Sequence, residues 1–191
     1  MKFLSLSILV LSFTNILALE GKYKLDPGHA KVGFSVSHMV ISNVEGRFTK
    51  FDGSLNSGKK LSDLKIDVKI DVASVNTDDK DRDDHLKSPD FFDLAKFPNI
   101  TFESTQVSGT ENNLKIKGKL TIKDKTQEVV LNGKLSKEVK DPWGNTRLAI
   151  TGSTKINRQK FGLAFNKLAE AGPVVGDEVV ISISSEAIKE K

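Results

Sequence analysis

The chain has no cysteine in its 191 residues. That absence excludes disulfides, thiolate zinc sites, iron–sulfur clusters and cysteine nucleophiles together. Tryptophan and tyrosine occur once each and proline five times. No one sign of charge dominates, since 29 Lys and Arg face 25 Asp and Glu for a net of +4. The pI is near 9.1, yet the lysines are scattered singly through the chain. They do not form the clustered basic stripe of a nucleic-acid binder, so no nucleic-acid partner is expected. With 38% apolar and 28% charged residues, the composition is globular, which excludes general disorder and a collagen-like chain.

Long hydrophobic runs are also scarce, and the single one stands at the start. Met1-Lys2 is followed by FLSLSILVLSFTNILA, with Ile16 and Ala18 at the −3 and −1 positions of a cleavage site. This is the layout of a secretory signal peptide. A membrane anchor needs about 20 predominantly apolar residues. This run is shorter and is broken by Ser5, Ser7, Ser12, Thr14 and Asn15. Residues 1–18 are therefore predicted to be a signal peptide, and 19–191 an exported domain without a stable membrane anchor. In a Gram-negative source it would be periplasmic.

What the rest of the chain has in abundance is period-two alternation, the signature of half-buried strands. Val32, Phe34, Val36 and His38 share one parity. Leu64 to Val72 alternates apolar residues with Lys65, Asp67, Lys69 and Asp71. Further rows run Leu114–Ile122, Val129–Leu135, Leu148–Ile156 and Val179–Ile183, with shorter candidates at Tyr23–Asp26, Val44–Leu55 and Ile100–Thr105. Within Val44–Leu55 the parity changes between Phe48 and Phe51, which predicts a bulge or bend. Asp124-Lys125, Asp141–Asn145 and Gly109–Asn113 supply turn chemistry. The Asp-rich gap from about 76 to 98 is too long for a hairpin and reads as a short helix plus loop. Eight or nine antiparallel strands hide their apolar face best in a closed barrel. A two-sheet sandwich satisfies the same pattern. A barrel of about eight strands is either filled by side chains or wide enough for one small ligand.

Chemistry-bearing motifs are few. There is no nucleophile elbow, phosphate-binding glycine loop or His-Glu-x-x-His, so no catalytic residue is assigned. His29, His38 and His85 are too widely spaced for a local metal site. The run Asp78, Asp79, Asp81, Asp83 and Asp84 imitates a calcium loop. However, it has Asp84 where that loop needs glycine and Asp90 where it needs a bidentate Glu. No metal or cofactor is expected. His38 stands out as a polar residue continuing an inward apolar row, either a satisfied core histidine or a contact for a ligand's polar end. The phenylalanines are core filling, or in part the lining expected around a hydrocarbon chain.

Several blocks carry a resemblance: YKLDPGHAKVGFSVSHM with VEGRF and FDG after it, DRDDHLKSPDFFDLAKFPNITF, LTIKDKTQEVVL, DPWGNTR, INRQKFGL and GPVVGDEVVISISSEAIK. With them the chain resembles the YceI family, lipocalin-like polyisoprenoid-binding proteins of bacterial periplasms, from Tyr23 to Ile188. The resemblance implies an all-β, antiparallel lipocalin-like barrel of about eight strands with a short helix/loop insertion. It further implies an apolar tunnel for an isoprenoid or similar long-chain amphiphilic lipid, and binding or transport instead of a reaction. Phe34, Val36, Phe48, Phe51, Phe91, Phe92, Phe102, Phe161 and Phe165 are the tunnel candidates, with Phe91 and Phe92 sealing one end. His38, Arg82 and His85 are the head-group candidates. The chain departs from the family at Lys160, Phe165 and Asp84, where an acidic residue, Trp and Gly are common. A prenyl-modifying enzyme and a filled structural barrel are the competing readings. A homodimer through a strand edge or the tunnel mouth is a further expectation.

Overall fold

Strands with one lysine-bearing face and one apolar face bury the apolar face without leaving edges only by closing on themselves. In the computed structural model, which describes residues 19–170 and 172–191, the chain does this. The predicted signal peptide lies outside the described residues.

The elements in chain order are β1 (Gly21–His38), β2 (Ser42–Phe48), β3 (Phe51–Ser57), β4 (Lys65–Asp71), β5 (Val75–Asn76), α1 (Lys80–Lys87), β6 (Asn99–Thr110), β7 (Asn113–Ile122) and β8 (Lys125–Leu135). They continue with β9 (Val139–Lys140), β10 (Thr146–Asn157), β11 (Leu168–Ala169), β12 (Gly172–Pro173) and β13 (Val175–Lys189). Hydrogen bonding runs β13-β10-β8-β7-β6-β4-β3-β1, and β1 pairs back onto β13. Residues 32–38 of β1 pair with β2 and residues 21–24 with β3. Strands β2 and β3 are thus two halves of one bent wall strand, and the barrel has eight walls, all antiparallel. The bend falls at Thr49-Lys50, where the sequence parity breaks. Residues 71–74 are hydrogen-bonded across it, through Thr49 N to Ser74 O at 3.1 Å and Asp71 N to Lys50 O at 3.0 Å.

Packing differs along the barrel axis. At one end Leu19, Tyr23, Leu114, Leu135, Leu148 and Ala187 are buried side by side and fill the interior. Burial, and then the hydrogen-bonded Glu138 carboxylate, pushes the Tyr23 hydroxyl above its ordinary pKa. Outside this end Arg147 holds three strands together. Its Nε donates to Asp141 Oδ2 at 2.8 Å, and its Nη1 donates to Asp26 at 2.7 Å and Glu186 at 3.1 Å. Asp141 also accepts from the backbone of Trp143 and Asn145, so it fixes the turn before β10. The Arg147 bond above all holds the Asp141 carboxyl down at about 2, against 3.8 ordinarily. A carboxylate held low stabilises the fold fully above its unfolded value and loses that contribution as pH falls through its folded value. Asp141→Asn should therefore lower the urea midpoint at pH 7, and the gap to wild type should close between about pH 4 and pH 2. A gap of constant size across that range would show that Asp141 acts through shape and not through charge.

Much of the acidic run is engaged close by. Asp79 caps α1 by accepting from Arg82 N at 3.0 Å. Asp83 is buried and accepts from both Thr77 N and Thr77 Oγ1 at 2.7 Å. Asp84 pairs with Lys80 and Lys87, and Asp90 with His85. The carboxylates thus point to separate partners and not to one shared centre.

The β1–β2 turn is of another kind. Ile41 N donates to His38 O at 3.1 Å, and both central residues have positive φ, Met39 at 49° and Val40 at 62°. Positive φ at both positions marks a type I′ turn, which ordinarily takes Asn-Gly. A non-glycine residue held there costs about 1–3 kcal/mol, most clearly when it is β-branched.

Candidate functional site

Beyond the filled end the inward rows no longer meet. Val32, Phe34, Val36 and His38 of β1, Ile66, Val68 and Ile70 of β4, and Ile116, Leu120 and Ile122 of β7 line a cavity of about 380 Å³. Val129 and Leu131 of β8, Ile150, Gly152 and Ile156 of β10, and Val179, Ile181 and Ile183 of β13 complete its wall. This size is within the range of small-molecule sites, about 300–1,000 Å³. Two glycines make room for rings. A Cβ on Gly46 would stand 2.3 Å from the Phe34 ring, and one on Gly118 would stand 2.4 Å from the Phe102 ring.

The segment after α1 closes the cavity from outside the strands. Phe92 meets Phe48 edge-on at 5.8 Å, and Phe48 in turn meets Phe34 at 5.9 Å. Phe91 lies 5.0 Å from Phe165, and the His85 ring stands perpendicular to both at 5.1 and 5.0 Å. His85 Nε2 is 3.0 Å from Asp90 Oδ2. Arg82 and His85 are on the wall, yet 41% and 44% of their side chains are exposed, so the cavity opens here. Arg82 is partly spent, because its Nε and one Nη donate to Thr77 at 2.8 and 3.0 Å. His38, half-buried, reaches the same cavity from the end of β1.

Ten of the twelve residues picked out from sequence lie on this wall. Phe51 and Phe161 do not. Both are buried, at 9% and 1% exposure, Phe51 on the same β3 face as Leu55 and opposite Ile70, yet neither borders the cavity. Phe51 comes just after the Thr49-Lys50 bend. Phe161 ends the 3₁₀ turn Arg158–Phe161 that follows β10.

Sequence reasoning missed Arg158. It is 2% exposed and lines the cavity, and all five of its donors are used. Nε donates to Gly176 O at 2.8 Å, Nη1 to Leu163 O and to Phe165 O at 2.8 Å, and Nη2 to Val175 O at 3.1 Å and Asp177 Oδ1 at 3.3 Å. Burial pushes its pKa below the ordinary value, against the pull of Asp177, and an arginine stays charged even so. It pins the Leu163–Phe165 stretch to the start of β13. The signal was parity: Arg158 continues the row Gly152, Thr154, Ile156.

His29 is remote from His38 and His85. It sits near the filled end with Asp26 and Glu186, whose ligand atoms converge within 4.8 Å. Arg147 Nη1 already bonds both carboxylates there, so a cation's place is taken by a guanidinium and no metal is assigned.

An eight-walled antiparallel barrel, filled at one end and hollow and apolar at the other, defines a lipocalin-like calyx. The sequence profile of the YceI-like domain matches residues 23–187, and the chain belongs to that family. A UPF0312 protein of Photorhabdus laumondii is 38% identical over 177 residues, which covers 91% of this chain and 90% of that protein. Among solved structures, Burkholderia cenocepacia BcnA superposes with a TM-score of 0.75 at 26% identity, covering 85% of this chain and 98% of its own. A polyisoprenoid binding domain from Saccharophagus degradans, implicated in plant cell wall breakdown, gives 0.66 over 88% of this chain and 98% of its own. At 16% identity the latter bears on the fold alone.

Proposed function

We propose that this protein binds and carries a polyisoprenoid or similar long-chain amphiphilic lipid. The tail lies in the hollow half of the barrel, and the polar end sits at the mouth among His38, Arg82 and His85. The observation that carries the reading is the cavity's composition: a mainly aliphatic and aromatic wall that also carries His38, Arg82 and His85. Arg158, the buried arginine on the cavity wall, has no donor left to offer. Burying each methylene of a tail contributes about 0.8 kcal/mol, enough for micromolar or tighter binding after entropy costs. Membership of the YceI-like family supports the same reading, and the fold, a barrel with room for a ligand, is shared with a domain described as polyisoprenoid binding. In this reading residues 1–18 direct export, to the periplasm in a Gram-negative cell. The mature chain begins at Leu19, whose side chain is buried and whose carbonyl accepts from Tyr23 at 3.2 Å.

Mass spectrometry of the organic extract from purified, leader-processed protein tests this. A co-purifying prenyl chain is expected. An empty barrel that also fails to take up prenyl ligands overturns the carrier reading, and a paired substrate and product would replace it with an enzyme. The polar end is tested by His38→Leu. Tail binding should survive, since leucine is apolar and of similar size, while preference for a prenyl alcohol or phosphate over a hydrocarbon of equal length should fall. Competition binding on delipidated protein reads this. Unchanged selectivity would make His38 a wall residue only.

A further inference from the structure

The mouth has a rim whose composition the cavity does not explain. Val36 to Val44 reads VSHMVISNV, without one Lys, Arg, Asp or Glu, in a chain that is 28% charged. At its centre is the Met39-Val40 turn, held at positive φ by residues poorly suited to it. Val40 is 63% and Ile41 77% exposed. Hairpin turns normally carry Asn, Asp or Gly, and three consecutive apolar residues at a solvent-facing turn are a fault unless they have a use. A second tip stands beside the first. The β11–β12 hairpin presents Leu168 at 82% exposure, and a Cβ on its Gly172 would come within 3.3 Å of Val40 Cγ2. Met39 N donates to Val174 O at 3.0 Å, and Val174 N to Lys167 O at 2.8 Å, so the two tips are stitched together. His38 and Val174, the residues bonded to the turn, are on the cavity wall. The exposed apolar rim and the apolar interior are therefore continuous.

We infer that Val40, Ile41 and Leu168 form a membrane-docking lip that enters the surface of a lipid bilayer and opens the cavity directly onto it. The inference rests on the lipid-binding reading above and names where the lipid is collected or released. A second copy of this chain fits the lip less well. A specific dimer buries about 1,200–2,000 Å² in total, and three side chains on two narrow tips supply far less. A bilayer accepts such tips without a complementary shape. Lys167 and Glu170 flank Leu168 with opposite charges, so entry is driven by apolar insertion and not by attraction to anionic headgroups. The strain at Met39-Val40 then has a use, since Asn-Gly would relieve it and remove the insertion.

Flotation of delipidated protein with phosphatidylethanolamine–phosphatidylglycerol vesicles tests this, beside binding of a short fluorescent prenyl alcohol in vesicle-free buffer. Wild type should float, with little dependence on salt. Met39→Asn/Val40→Gly and Leu168→Ser should each partition roughly tenfold less or weaker still, while binding the soluble probe as wild type does. The turn variant should also melt higher than wild type, so misfolding cannot explain its loss. Wild type that binds the probe but never floats, or variants that float unchanged, overturn the lip and leave the binding reading standing. A lip variant that alters only concentration-dependent self-association also overturns it, in favour of a second copy. Flotation without probe binding would instead remove the lipid-cavity reading and keep the membrane contact.

Discussion

Arg158→Met should destabilise the protein by about 3–5 kcal/mol, the range for removing one partner of a buried charged network. That is a large part of the 5–15 kcal/mol of an ordinary domain. Leu163, Phe165, Val175 and Gly176 each direct a backbone carbonyl at this guanidinium, and an unsatisfied buried acceptor costs about 1–3 kcal/mol. Methionine fills the volume but offers no donor. The Asp177 contact adds little, because that carboxylate is half-exposed at 52% and surface pairs contribute about 0–1 kcal/mol. Arg158→Lys should fall between the two, since a point-like ammonium cannot reproduce a planar fork of five donors. Urea midpoints decide it. A shift of under about 1 kcal/mol for Arg158→Met would mean that other contacts hold the loop. A second readout follows from position. Phe165 reaches the cavity wall only while its own carbonyl is held, so the Met variant should also lose the ring cluster of His85, Phe91 and Phe165.

The same residue shows where sequence stops being legible. Strand parity is geometric, so Val32, Phe34, Val36 and His38 could be placed on one face from their spacing alone. The break between Phe48 and Phe51 likewise marked a real bend. Arg158 obeys the same parity, but the groups that make its burial affordable come from residues 163–177, folded back by a turn that no local pattern announces. The hollow was equally hidden. Whether inward rows meet or leave a gap depends on how rings such as Phe34 over Gly46 and Phe102 over Gly118 lie across neighbouring strands, which spacing alone does not state. Tyr23, Leu114 and Leu148 show the same alternation as Val32, Ile116 and Ile150, yet the first three fill the barrel and the second three line a space. Phe51 and Phe161 were misplaced because an aromatic residue signals burial without saying against what.

Gly152→Phe should abolish most ligand binding, by roughly a hundredfold or more, while leaving the empty protein at least as stable as wild type. Gly152 lies on the cavity wall between Ile150 and Thr154, and its φ is not in the left-handed region. A Cβ there meets Asn132 O at 3.6 Å and Leu131 at 3.7 and 3.8 Å, which is ordinary contact. The backbone therefore accepts a side chain, and the remainder of that side chain has only the cavity to occupy. Replacing a glycine within a strand removes a destabilisation of about 0.5–1 kcal/mol, and the new ring buries itself in space that was apolar already. Binding should move the other way. A hundredfold loss is about 2.8 kcal/mol, equal to the burial of three or four methylenes at about 0.8 kcal/mol each, and a benzyl group displaces at least that much of a tail. Gly152→Ala is the control, because one methyl at the wall leaves most of the cavity open and should cost less than tenfold. Thermal melts of the delipidated proteins and displacement of a fluorescent prenyl alcohol give the two readouts. A Phe variant that melts like wild type and still binds at wild-type affinity would place the tail outside the barrel. If affinity instead falls only together with the melting temperature, the loss reflects damage to the fold, and the Ala variant then carries the comparison.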